Sequence, residues 1–116
     1  MEAYDEFQRG LELLRAGRPH AAVPPLERAR ALEPAKGSIR EALARAYFNS
    51  QRFRAARDEF AEIVESDPAS DYAHFGLGMC LVRLGERQGA LGHLRLAVAM
   101  NPNSEDYQRA LAALEA

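Results

Sequence analysis

The chain has 116 residues, enough for one compact domain, and its 47% apolar and 28% charged residues are typical of a folded protein rather than a disordered one. A net charge of -2 gives no overall attraction to nucleic acid or to anionic membranes. Cys80 is the single cysteine, so neither an intrachain disulfide nor a cysteine-based metal site is available.

The N-terminal segment is acidic and lacks the basic region and apolar run of a secretory signal. No stretch approaches the ~20 consecutive apolar residues that a membrane-spanning helix needs. We therefore expect a cytoplasmic protein with no membrane association. The single cysteine is compatible with a reducing compartment.

From its N-terminal end the chain repeats with a period of 34 residues, marked by Pro34, Pro68 and Pro102. Each of these prolines follows an acidic or amide residue. The repeats in register are residues 3–36, 37–70 and 71–104, with a tail over 105–116. Further columns of similar residues support this register: Gly10, Ala44 and Gly78; Leu13, Tyr47 and Leu81; Gly17, Gln51 and Gly85; and Ala22, Ala56 and Ala90.

Each repeat predicts two helices of about 14 residues joined by a short turn. Gly17 and Gly85 are expected to end first helices, since glycine accepts the left-handed conformation that closes a helix. The proline ends the second helix, because the residue before a proline is pushed away from helical backbone angles. The small residues at 10, 44 and 78 lie in mid-helix, which predicts the close approach of a neighbouring helix. One hairpin cannot bury its apolar face alone, whereas stacked hairpins can.

This 34-residue helix–turn–helix unit resembles the tetratricopeptide repeat (TPR) family. The first repeat matches through Gly10, Leu13, Ala22, Leu26, Ala29 and Pro34; the second through Ala44, Tyr47, Ala56, Phe60 and Pro68, with Ile63 in place of a small residue; the third through Gly78, Leu81, Ala90, Leu94, Ala97 and Pro102. The resemblance implies an all-α fold, a right-handed superhelical stack of helix–turn–helix hairpins (an α-solenoid), as a single domain over residues 1–116. The tail reads as a capping helix, and a truncated fourth repeat would look the same.

Two departures from the family pattern fall in the first repeat. Glu6 and Arg9 occupy positions that are usually apolar, which fits an outer side that faces water. Pro24 and Pro25 lie inside the second helix, where proline removes a backbone hydrogen bond. We expect either a kink that is convex toward solvent or a late start of that helix.

The residues that could carry chemistry do not form a recognisable active site. His20, His74 and His93 share no metal-ligand spacing, and each is expected to be a lone surface or interfacial histidine. Cys80, between Met79 and Leu81, is expected to be a buried, inert thiol. The glycines fit no phosphate-binding loop. We therefore expect no catalysis, no metal and no cofactor.

Charge is distributed unevenly along the chain. Residues 28–57 carry eight basic and two acidic residues, and residues 58–71 carry six acidic and none basic. The arginines at 40, 45, 54 and 57 do not share one helix face. Solvated surface charge and a docking patch for an acidic partner both remain open, while nucleic-acid binding is disfavoured because no aromatic stacking platform accompanies the charge.

In the family that the chain resembles, the first helices of successive repeats line a concave groove. The resemblance therefore implies a partner-binding set at the matching positions: Tyr4, Phe7, Leu11, Arg45, Phe48, Asn49, Tyr72, Phe75, Met79 and Arg83. Aromatic residues and arginine are enriched at binding hot spots, and exposed apolar patches usually mark binding sites. The alternative is that several of these side chains only pack between neighbouring helices.

Some family members clamp a partner's C-terminal carboxylate with lysine, asparagine and arginine side chains. Here the matching positions hold Phe7, Leu11, Ala42, Tyr72 and Gly76, so the clamp is absent. The expected function is a scaffold or adaptor that binds a protein segment with apolar side chains, with or without an acid. Two alternatives stay open: a self-assembling unit, in which the groove or an end face accepts another copy's terminal helix, and a chaperone for a secreted or pilus-associated protein.

Overall fold

The computed structural model describes residues 2–116 of the chain, and all of its regular structure in that range is α-helical. In chain order the helices are α1 (Ala3–Arg15), α2 (Pro19–Leu32), α3 (Gly37–Asn49), α4 (Phe53–Ser66), α5 (Asp71–Arg83), α6 (Arg87–Met100) and α7 (Glu105–Glu115). The predicted all-α fold of helix–turn–helix hairpins is therefore confirmed.

Helix positions follow the predicted period. The first helices α1, α3 and α5 begin at residues 3, 37 and 71, and the second helices α2, α4 and α6 begin at residues 19, 53 and 87. The tail helix α7 begins at residue 105, where the first helix of a fourth repeat would begin. Contacts divide the chain into two compact units, one ending at Glu59 and the other running from Phe60 to Ala116. A single domain with those repeat boundaries stays a prediction.

The turn inside each hairpin has the same backbone geometry. Gly17 and Gly85 have φ angles of 73° and 80°, and Gln51 at the matching position has a φ of 67°. In each turn the amide of the next residue donates to a carbonyl in the last turn of the first helix. These bonds are Arg18 N to Leu13 O at 2.9 Å, Arg52 N to Tyr47 O at 2.8 Å and Glu86 N to Leu81 O at 2.9 Å. The left-handed residue thus closes the helix by satisfying its terminal carbonyls.

The small residues of the first helices lie where a second helix passes closely. A β-carbon added at Gly10 would lie 3.1 Å from Cδ1 of Leu26 and closer still to its Cγ and Cδ2. One added at Gly78 would lie 2.9 Å from Cδ2 of Leu94. Leu26 and Leu94 are both fully buried, so the approach of α2 to α1, and of α6 to α5, depends on the missing side chain.

In the first repeat, the expectation for Glu6 is wrong, and of the two alternatives for the second helix the late start is excluded. Glu6 does not face water: it is only 4% exposed, because α2 packs against this part of α1. Its Oε2 lies 3.1 Å from Nε of Arg28, in an ion pair that lacks the alignment of a hydrogen bond. The second helix does not start late, since α2 begins at Pro19, where a proline at the first turn loses no helical hydrogen bond. Pro24 is exposed and Pro25 is buried within it.

Candidate protein-binding surfaces

In the first unit, the predicted partner-binding residues lie on α1 and α3, two helices that contact each other. We call this set the α1–α3 surface: Tyr4, Phe7 and Leu11 from α1, and Arg45, Phe48 and Asn49 from α3. Steps of three and four residues place the members from each helix along one face. Tyr4 is 66% exposed, Asn49 is exposed and the other four are half-buried.

Arg45 is the charged member of this surface. Its guanidinium forms no ion pair within residues 2–116, although the chain supplies acidic partners to several other arginines. Phe48, one turn further along α3, packs edge to face against Phe53, with ring centroids 5.2 Å apart. The α1–α3 surface therefore combines the ring of Phe48, which packing holds in place, with the guanidinium of Arg45, which can donate hydrogen bonds to a carboxylate.

In the second unit, the predicted residues lie on one helix, α5. We call Tyr72, Phe75, Met79 and Arg83 the α5 surface. Arg83 is exposed and the other three are half-buried, so none of the four is sealed in the core. All ten predicted partner-binding residues thus retain accessible surface, although which of them bind a partner stays a prediction.

Part of the α5 surface also packs within its own unit. Phe75 stacks on Tyr107 of α7, with ring centroids 4.7 Å apart and planes 25° from parallel. The Tyr107 hydroxyl donates to Oδ2 of Asp71 at 2.9 Å, which anchors α7 to the start of α5. Tyr72 lies between Phe60 and Phe75, at 6.0 and 6.3 Å. One side of Phe75 and one side of Tyr72 therefore pack between helices, which was the alternative to partner binding for these residues.

Sequence reasoning missed the role of Tyr107. The sequence predicted a capping helix in the tail but no contact between that helix and the partner-binding set. The sequence signal that could have revealed this contact is the position of the tail at the beginning of a fourth 34-residue period. The first helix of a fourth repeat would pack against the preceding hairpin, and α7 does contact α5 and α6. Tyr107 is buried, and its ring packs against Phe75 of the α5 surface.

Part of the uneven charge is paired inside the first unit. The buried carboxylate of Glu59 accepts hydrogen bonds from Arg30 and from Arg40, the latter at 2.8 Å, and Asp58 pairs with the adjacent Arg57. Residues of the acidic run thus neutralise residues of the basic run. This pairing removes those arginines from a docking patch and leaves Arg45 as a basic residue without an acidic partner in the described chain.

Two of the three histidines are not isolated. His74 and His93 meet across α5 and α6, with 3.0 Å between their Nδ1 atoms. The expectation of lone histidines is wrong for this pair, because the packing of the two helices joins positions 19 residues apart. Within residues 2–116 no three His, Cys, Asp or Glu side chains are grouped so that they could hold a metal ion.

The thiol of Cys80 is buried, with no exposed surface, as predicted. In the part of the chain that the structure describes, every helix is too short or too polar to cross a bilayer.

These features define a class of protein, the helical-hairpin repeat proteins with exposed first-helix faces. A family model for the tetratricopeptide repeat matches residues 7–70 and again residues 41–105. The chain belongs to the tetratricopeptide repeat family. It is 30% identical over 80 residues to anaphase-promoting complex subunit 3 of Dictyostelium discoideum, a match that covers 69% of this chain and 8% of that protein.

Solved structures share the fold at low sequence identity. The first TPR of Spaghetti (RPAP3), bound to the HSP90 peptide SRMEEVD, superposes with a TM-score of 0.91 at 17% identity, over 98% of this chain and 90% of that one. The second TPR domain of human RPAP3, in complex with the HSP70 peptide SGPTIEEVD, gives 0.90 at 19% identity, over 98% and 95%. MamA gives 0.89 at 17% identity, over 97% and 66%.

Proposed function

We propose that this chain is a protein-interaction module that binds a peptide-like or helical segment through the exposed faces of its first helices. The observation that carries the proposal is that all ten predicted residues keep accessible surface, although most of them are aromatic, aliphatic or arginine. Side chains of these types dominate binding energy at protein interfaces. Membership of the TPR family supports an interaction role, and the proposal includes no catalysis and no cofactor.

The composition of the α1–α3 surface suggests the chemistry of its partner. Tyr4, Phe7 and Leu11 offer apolar area along one face of α1, so the partner segment supplies apolar side chains. Arg45 has no acidic partner within residues 2–116, and a bidentate contact with a carboxylate of the bound segment would satisfy its guanidinium. We expect a segment with two or more apolar residues and one acidic residue.

The two RPAP3 structures hold peptides that end in Glu-Glu-Val-Asp. Binding of the same peptides is not expected here. Phe7, Leu11 and Ala42 cannot donate hydrogen bonds to a terminal carboxylate, and they occupy three of the positions at which other family members place carboxylate-binding side chains. The fold is therefore shared with these structures, whereas the proposed ligand differs.

Selection of 12-residue peptides displayed on phage, followed by fluorescence anisotropy with synthetic peptides, would test this proposal. We expect Tyr4→Ala/Leu11→Ala and Arg45→Gln each to weaken binding of a selected peptide at least 10-fold, with a smaller effect of Arg45→Gln on peptides that lack an acid. Leu96→Ala, which truncates an exposed apolar residue outside both surfaces, is the matched control. The peptide SRMEEVD serves as a second, negative control.

Equal affinity of the wild type and the two surface variants for every selected peptide would show that the α1–α3 surface is not the binding site. Tight binding of SRMEEVD would show that the inferred ligand chemistry is wrong.

Self-assembly is a second candidate, and exposed apolar residues outside the two surfaces favour it. Leu96 and Met100 lie one helical turn apart on α6 and are 44% and 41% exposed, and Leu32 on α2 is 55% exposed. Sedimentation equilibrium between micromolar and millimolar concentrations separates the candidates. A mass that rises with concentration in the wild type, but not in Leu96→Glu/Met100→Glu, supports self-assembly, and a constant monomer mass excludes it.

A further inference from the structure

His74 and His93 form a hydrogen-bonded pair inside the second unit. His74 is 4% exposed, and its Nε2 lies 2.8 Å from the carbonyl oxygen of Pro68, in the turn that precedes α5. Its Nδ1 lies 3.0 Å from Nδ1 of His93 on α6, and the two rings are stacked with centroids 5.2 Å apart and planes 23° from parallel. One buried imidazole thus links a turn to a neighbouring helix.

The two contacts determine where the protons lie. A carbonyl oxygen can only accept, so Nε2 of His74 must carry a proton and donate it to Pro68. In the neutral imidazole the other nitrogen, Nδ1, is then an acceptor. Nδ1 of His93 must therefore carry a proton and donate it to His74. The neutral pair has a single arrangement of protons that satisfies both contacts.

Added protons change this arrangement in two steps. A first proton can be accommodated on Nε2 of His93, because Nδ1 of His93 continues to donate to Nδ1 of His74. A second proton must occupy Nδ1 of His74, and two N–H groups then face each other across 3.0 Å with two positive charges. That state has no hydrogen bond between the rings and cannot persist at this distance. The doubly protonated pair must separate.

Burial also opposes charge on His93. Desolvation, and secondly the charge of His74, lower the pKa of His93 below its ordinary value. At His93 the folded state therefore binds a proton less tightly than the unfolded chain does. The stability that neutral His93 contributes is lost as the pH falls below about 6.5, the ordinary pKa of histidine.

Charged groups on the surrounding elements do not stabilise an imidazolium through a direct contact. Within residues 2–116, neither ring is hydrogen-bonded or ion-paired to a carboxylate. Asp71 accepts from Tyr107 and Asn101. Two ion pairs lie elsewhere in the unit, Arg95 with Glu115 and Arg109 with Asp106. The carboxylate of Asp67, in the turn before α5, accepts a hydrogen bond from the amide of Ala69. The remaining charges on α5, α6, α7 and residues 60–66 of α4 are Glu62, Glu65, Arg83, Arg87 and Glu105.

We propose that His74 and His93 form a pH-operated latch that holds the turn at Pro68 and the start of α5 in place while the pair carries at most one added proton, and that opens when the second proton binds. The latch itself is independent of the proposed function. Its consequence for binding, however, rests on that function, because Tyr72 and Phe75 of the α5 surface flank His74. Opening of the latch should loosen the part of α5 that presents these two rings.

Imidazole nitrogen chemical shifts, measured by NMR between pH 7.5 and pH 4, test the proton arrangement directly. At pH 7.5 we expect His74 to be protonated at Nε2 and His93 at Nδ1, and on acidification the pair should titrate in two coupled steps. His20, which is exposed and lies outside the second unit, serves as the internal reference. Independent one-step titration of His74 and His93 would overturn the proposal.

Hydrogen exchange tests whether the latch opens. The amides of Ser70 and His74 donate to Asp67 and Ser70 at the start of α5. After correction for intrinsic exchange, we expect their protection to fall at least 10-fold across the second protonation step. In His93→Gln the side-chain amide can donate to neutral His74 and accept from protonated His74, so protection should be independent of pH. His20→Gln should behave as the wild type.

Unchanged protection in the wild type across the titration would refute the latch. If His93→Gln does not fold, the proton arrangement of the wild type still decides the question. Binding is measured separately, with a selected peptide whose affinity depends on Phe75. Acid should weaken that affinity at least 10-fold in the wild type and not in His93→Gln. Failure to select any peptide would count against the proposed function, whereas a normal latch by exchange with pH-independent affinity would remove only the link to binding.

Discussion

The close approach of α1 and α2 makes Gly10→Ala a sharp test of the packing. An alanine β-carbon at this position would lie 3.1 Å from Cδ1 of Leu26 and closer still to Cγ and Cδ2, whereas carbon atoms in contact prefer about 3.5–4.0 Å. Leu26 has no exposed surface, so its side chain cannot relieve the overlap by moving directly into solvent. The substitution must therefore shift α1 against α2 or force Leu26 out of its rotamer.

Two opposing contributions decide the size of the effect. Replacement of glycine by alanine inside a helix stabilises it by about 1 kcal/mol. Overpacking of a core costs about 1–3 kcal/mol, and the upper part of that range applies where the neighbour cannot move. We expect the steric cost to exceed the helix preference, so that the free energy of unfolding falls by about 1–2 kcal/mol.

Urea unfolding followed by circular dichroism at 222 nm measures this difference. Gly92→Ala is the matched control, because Gly92 lies inside α6 and an added β-carbon there meets no atom within 4 Å. In the control only the helix preference acts, and we expect stabilisation by about 1 kcal/mol. If Gly10→Ala stabilises the protein as much as Gly92→Ala does, α2 does not approach α1 closely enough at Gly10 to exclude a β-carbon.

Three further substitutions have expected outcomes. Gln51→Gly should raise the free energy of unfolding by about 1 kcal/mol, because Gln51 has a φ of 67° and the left-handed conformation destabilises a residue that has a side chain by about 1 kcal/mol. A lower free energy of unfolding, measured in urea, would contradict this. Glu59→Gln should lower the free energy of unfolding by about 2–3 kcal/mol, because two arginines lose their buried carboxylate partner. This destabilisation should persist in 1 M NaCl, and its disappearance in salt would indicate a solvent-exposed ion pair. Burial and the hydrogen bond to Glu27 raise the pKa of Tyr47 to about 12, so the folded state holds this proton more tightly and this contribution to stability should be lost between pH 10 and 12. Tyr47→Phe should abolish that loss and remove a step near pH 12 from the absorbance titration at 295 nm.

The period of the sequence was sufficient to predict the helices and their turns. Prolines at a spacing of 34 residues, and glycines at 17 and 85, are local signals, because proline and glycine restrict or extend the backbone angles of their own position. Gln51 could be predicted as a turn residue only from its column, since nothing in its own chemistry favours a positive φ. The family resemblance then indicated which helix faces stay accessible.

Contacts between helices could not be predicted in the same way. The burial of Glu6, the pairing of His74 with His93 and the stacking of Phe75 on Tyr107 each join residues whose separation in sequence has no fixed geometric meaning. Their proximity depends on the angle and axial offset at which two helices pack, and many side chains together determine both. The sequence by itself therefore determined the repeating helices and their closed turns, while only the tertiary structure decided which polar and aromatic groups meet, because helix packing is a collective property of the whole unit.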